Sequence, residues 1–126
     1  MRKSDKLEAL DIFTTAYIEC ALWSSMDEST PSGGHPLDDN YNAEDLTNDA
    51  LDAIIADCVA FQLDNDADLQ GLAESTCGHD FWLSRNGHGA GFWDRGHGEV
   101  GDRLHKAAKV YGDCSIYIHR GKLHIT

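Results

Sequence analysis

The residue types that do chemistry are concentrated between Cys77 and His97, in the stretch CGHDFWLSRNGHGAGFWDRGH. A histidine held by a carboxylate can act as a general base, and His79, Asp94 and His97 are the residues that would carry such a role, with Asp80 and Arg95 beside them. Cys77 and His79, spaced Cys-x-His, are the pair that would begin a zinc site. The chemistry then lacks its other parts. No nucleophile, oxyanion hole or phosphate loop accompanies the histidines, so no reaction class follows. The run GHGAG lacks the Gly-x-Gly-x-x-Gly pattern, and no two histidines show the four-residue helical spacing of a metal site. Asp64, Asp66 and Asp68 imitate the start of a calcium loop, but its glycine and closing glutamate positions hold Leu69 and Ser75. These residues therefore predict no cofactor and no resident metal, and favour a protein that binds over one that catalyses.

The elements that must position these groups follow from periodicity. HDFWLSR alternates, placing Phe81 and Leu83 on one face with Asp80 and Trp82 on the other, and Asn86-Gly87 is a strong hairpin signal. That turn would pair Leu83 with Ala90, Trp82 with Gly91 and Phe81 with Phe92. It would also set His79 opposite Asp94, so His79, Asp80, Asp94, Arg95 and His97 would cluster at the hairpin's open end while His88 is carried to its tip. Glycines 89 and 91 would then clear space beneath Trp82.

Helical spacing marks three further segments. Residues 4–25 carry Leu10, Phe13, Tyr17, Cys20 and Ala21 on one face, and residues from 43 or 47 to 63 carry Leu51, Ile54, Ile55, Cys58 and Phe61. Residues from 98 or 99 to 111 carry Val100, Leu104, Ala107, Ala108 and Tyr111, with Gly112 placed to end that helix. A helical turn is expected around Leu69 to Glu74, and a long loop over residues 24–42, which hold both prolines. CSIYIHRGKLHIT closes the chain as a hairpin turning at Arg120-Gly121. The resulting order, ααββαββ, predicts an α+β fold with helices packed on one face of a small antiparallel sheet. At 126 residues and 41 % hydrophobic composition the chain suits one domain, with an acidic helical half over about 1–78 and a hairpin-helix-hairpin half over about 79–126. The four cysteines, without a Cys-x-x-Cys pair, suit reduced thiols.

Charge is divided along the chain. From Leu7 to Ser84 there are 17 carboxylates and no Lys or Arg, whereas from Arg85 onward seven basic residues face four acids. The formal net charge is −12. An acidic block of this kind repels nucleic acid and attracts a basic surface. Asp45, Asp49 and Asp52 line one side of the second helix, with Asp38 and Asp39 before it and Asp64, Asp66 and Asp68 after it. These eight are the candidate partner-binding residues.

The stretch from Gly78 to Ile118, GHDFWLSRNGHGAGFWDRG followed by GDRLHKAAKVYGDCSIYI, resembles small accessory proteins encoded by bacteriophages. That resemblance implies a phage-type protein and assigns no catalytic residue. Combined with the acidic block, it raises the expectation of a DNA mimic: an anti-defence protein whose carboxylates occupy the basic surface of a host nucleic-acid enzyme or defence complex. The alternatives are a phage interaction protein without mimicry, including a homodimer in which the basic half meets the acidic half of a second copy, and a small His/Asp hydrolase or metal-binding protein. No apolar run reaches the roughly 20 residues needed to cross a bilayer and no secretory signal begins the chain, so the expected location is the host cytoplasm, away from membranes.

Overall fold

The computed structural model describes residues 2–27, 34–87 and 89–126. Two short helices open the chain, α1 (Lys3–Glu8) and α2 (Ile12–Ser24). They are separate because Asp11 accepts a hydrogen bond from Thr14 N–H at 2.7 Å and caps α2 afresh, which interrupts the single helix expected over 4–25. A two-residue ribbon, β1 (Met26–Asp27) with β2 (His35–Pro36), occupies part of the expected loop. Single 3₁₀ turns at Leu37–Asp39 and Ala43–Asp45 then lead to α3 (Asn48–Asp64), which Thr47 caps through Ala50 N–H. The one-turn helix α4 (Asp66–Leu69) follows, earlier than the turn expected around Leu69 to Glu74.

The principal correction concerns the expected hairpin. Residues 74–86 form a helix, α5 (Glu74–Asn86), and Asn86-Gly87 ends it: Gly87 takes the left-handed conformation at φ 65° and its N–H returns to the carbonyls of Leu83 and Ser84. The Asn-Gly signal therefore marks a helix C-terminus. Residues 92–94 form a 3₁₀ turn, so Phe81 and Phe92 share the core without being strand partners. The order ααββαββ and the division at residue 78 give way accordingly, since α5 runs through that boundary. Helix α6 (Glu99–Lys109) and the hairpin of β3 (Ile116–His119) with β4 (Lys122–Ile125) complete the chain. The described residues thus form a mixture of helices with two small antiparallel ribbons, and the helices pack chiefly on one another.

Helix α5 is central. Residues 80–85 are all buried in sequence, so it has no solvent-facing stripe and its pattern does not read as amphipathic. Phe81 stacks on Phe61 at 4.2 Å and lies 5.3 Å from Tyr17, joining α2, α3 and α5 in one aromatic core. Gly78 makes the close approach to α2 possible, because a Cβ there would stand 2.0 Å from the Phe13 carbonyl oxygen. No described helix is long and apolar enough to cross a membrane.

Candidate functional site

The polar residues of α5 are buried and must find partners inside the fold. Asp80, 1 % exposed, is clasped by Arg95: Nε donates to both carboxylate oxygens at 3.1 Å and Nη2 to Oδ1 at 2.8 Å. Arg85 is also buried. It donates to Asp57 at 2.9 Å, to the Tyr17 hydroxyl at 3.1 Å and to the carbonyls of Tyr111 and Gly112, which ties α5 to α2, α3 and the end of α6. Burial raises the Tyr17 pKa, so its hydroxyl remains protonated beside this guanidinium. Ser84 Oγ accepts from Phe92 N–H at 3.1 Å and lies 3.0 Å from His105 Nδ1. With its oxygen accepting the amide proton, the Ser84 hydroxyl is placed to donate to the ring, which suits neutral His105; burial lowers the His105 pKa in the same sense. The pair has the elements of a nucleophile and base, yet Ser84 is fully buried and a Cβ on Gly91 would lie 2.2 Å from its oxygen. No substrate can reach that oxygen without opening the fold.

The residues expected to meet at one end of a hairpin are distributed otherwise. His79 lies on α5 with its ring 6.2 Å from that of Trp23, and its Nδ1 is buried with no hydrogen-bond partner among the described residues. Asp94 accepts from Gly91 N–H at 3.1 Å, closing its own turn. His97 packs near Gly101 at the start of α6. No described hydrogen bond or ion pair joins His79 to Asp94 or His97; the pair that does form is Asp80 with Arg95. His88 lies outside the described residues. Cys77 is buried one helical step before Gly78, and burial pushes its thiol up to about 11 and that of Cys20 to about 12, with the Asp80 charge adding to both. Among the described residues no three His, Cys, Asp or Glu side chains gather as a metal site would need.

The acidic block is partly balanced in three dimensions. Among the described residues, all four Lys or Arg ion pairs run from outside the block to a carboxylate within it: Lys6 to Asp52, Arg85 to Asp57, Arg95 to Asp80 and Arg103 to Asp68. Of the eight candidate partner-binding acids, Asp52 and Asp68 are thus engaged. Asp45 accepts from Asn42 N–H at 2.9 Å, Asp66 from Gln70 at 3.3 Å, and Asp39 stands 4.0 Å from His35. Asp38, Asp49 and Asp64 are exposed and make no hydrogen bond or ion pair with a described residue.

Asp49 and Asp64 mark the two ends of the outer face of α3. The rise of an α-helix puts them about 22 Å apart. Between them the same face carries Ala53, Ala56, Val59 and Leu63, all exposed, with Leu63 74 % exposed. Sequence reasoning passed over this apolar stretch, although its three- and four-residue spacing, opposite the core stripe of Leu51, Ile54, Cys58 and Phe61, was present to be read.

Comparison with protein-family models, characterised proteins and solved structures finds no match for this chain.

Proposed function

We propose that the chain is a protein-binding accessory protein of phage type, acting through the outer face of α3 on the basic surface of a host nucleic-acid enzyme or defence complex. The observation that carries this reading is the make-up of that face: exposed carboxylates at both ends, with no ion-pair partner among the described residues, and an exposed apolar strip between them. Protein interfaces combine an apolar centre with a polar rim, and α3 supplies both on one rigid element. The spacing favours two-point docking over continuous imitation of a phosphate track. Duplex DNA carries one charge about every 1.7 Å of axis, whereas α3 has a single acid between Asp52 and Asp64, and that one, Asp57, is held by Arg85.

The test is capture from a bacterial lysate by wild-type protein and by three variants. One carries Asp49→Lys and Asp64→Lys, one carries Val59→Lys and Leu63→Lys, and a control reverses Glu99 and Asp102 to Lys on α6. The proposal expects both α3 variants to lose the same captured partner while the control retains it. Equal retention by all three, or equal loss by all three, refutes it. The two-acid variant changes net charge as much as the control does, so a general charge effect cannot imitate the expected pattern.

A further inference from the structure

The C-terminal hairpin has one covered edge and one open edge. Along β4, Thr47 N–H donates to the Leu123 carbonyl at 3.0 Å, and Leu46 and Leu123 form a parallel bridge, so that edge is covered. On the other side, Thr126 N–H donates to the Ser115 carbonyl at 3.0 Å, and the register pairs Tyr117 with His124 and His119 with Lys122. Antiparallel hydrogen bonding alternates, so residues 117 and 119 bond inward to β4 and the N–H and C=O groups of Ile116 and Ile118 point away from it. No described residue pairs with those outward groups. Alongside runs an open groove of about 460 Å³ bounded by Ser25 and Met26 on one side and by residues 113–117 on the other.

We propose that this edge pairs with the same edge of a second copy, antiparallel about a two-fold axis beside Tyr117, joining the two hairpins into one four-stranded sheet. The edge is self-complementary. In that register Ile116 of each copy meets Ile118 of the other, giving four backbone hydrogen bonds, and Tyr117 faces its own counterpart at the closer, non-hydrogen-bonded position. Tyr117 is 46 % exposed and already stacks on His124 at 5.3 Å, so the pairing extends an aromatic row across the axis. The same register sets Arg120, at the hairpin tip, opposite Cys114 of the second copy and one residue from its Asp113, within reach of the long arginine side chain, twice by symmetry. Both residues are exposed, and neither forms an ion pair with a described residue. This dimer differs from one in which the basic half meets the acidic half, and it leaves the outer face of α3 free. It does not depend on the function proposed above. A four-residue edge covers far less than the roughly 1,600 Å² of a standard interface, so the dimer dissociates on dilution.

Sedimentation velocity over a dilution series of the full chain tests this. Wild type is expected to pass from monomer to dimer with concentration. Asp113→Arg and Arg120→Asp are each expected to weaken dimerisation on the order of tenfold, and the double variant to restore it. Aspartate tolerates the left-handed backbone that Arg120 adopts at φ 52°, and both positions are at the surface, so these variants fold. Amide exchange supplies the second measure: Ile116 and Ile118 should gain protection with concentration. A chain that stays monomeric at its highest soluble concentration overturns the proposal. So does a dimer that neither single reversal weakens, or one that leaves those two amides unprotected.

Discussion

Replacing Arg95 by alanine should harm the fold more than replacing its partner Asp80, although the two form the same ion pair. Asp80 is 1 % exposed and, among the described residues, its carboxylate is answered only by the Arg95 guanidinium, whereas the Arg95 side chain is 41 % exposed. Removing the arginine leaves a buried charge uncompensated, a loss that measures about 3 to 5 kcal/mol in comparable pairs. Solvent already screens the partly exposed Arg95, which favours the lower end, about 3 kcal/mol. Removing Asp80 instead lets the guanidinium turn to water, so Asp80→Ala should cost about 1 kcal/mol, for the lost hydrogen bonds and a small void. The double variant, with no charge left inside, should be about as stable as Asp80→Ala alone. Urea unfolding followed by circular dichroism reads all three, and thermal melts should place Arg95→Ala about 10 °C below wild type. If Asp80→Ala were the more destabilising change, or if the two losses simply added, the argument from unequal burial would be refuted.

Other outcomes follow from the same packing. Gly78→Ala should destabilise by about 2 kcal/mol even though alanine is the better helix former, because the new methyl meets the Phe13 backbone and α2 and α5 must separate; a neutral result in urea would contradict that contact. Cys20 and Cys77, with thiols raised by burial to about 12 and about 11, should be unreactive toward a disulfide reagent at neutral pH until the chain unfolds, and prompt native labelling of either would contradict their placement. Burial lowers the pKa of His105 from its ordinary 6.5, so below that value the unfolded chain takes up the proton first. Stability from this group is therefore present above pH 6.5 and lost as the pH falls through the folded value, and His105→Gln should flatten that part of the pH profile.

The parts of the fold that were legible in the sequence are those with one wet face. Helices α3 and α6 and the β3–β4 hairpin alternate core and solvent at regular spacing, and Thr47, Gly98 and Arg120-Gly121 punctuate them as their residue types suggest. Helix α5 was not legible because it is enclosed on nearly every side. Its polar residues, Asp80, Ser84 and Arg85, face partners inside the fold, so no amphipathic stripe distinguishes it from a strand. Its Asn-Gly terminus also satisfies two different backbone geometries, a hairpin turn and a helix end, and the second goes with tertiary contacts that local sequence does not show, the burial of residues 80–85 and the hydrogen bond from Cys114 N–H to Asn86 among them. The candidate site was misplaced for the same reason, since a helix sends His79 and Asp80 to different neighbours than a strand would. The acidic block was read correctly as composition. That its Asp52, Asp57, Asp68 and Asp80 are held by cations from either end of the chain depends on contacts separated by 15 to 46 residues, which local patterns do not reveal.

The most direct measurement is competition for the partner captured by the wild-type protein. Sheared duplex DNA, titrated against the immobilised complex at fixed ionic strength, should displace that partner, and rising salt should weaken the capture while the Val59→Lys/Leu63→Lys variant abolishes it. Capture that is indifferent to both DNA and salt would contradict the claim that the outer face of α3 docks on a basic nucleic-acid-binding surface.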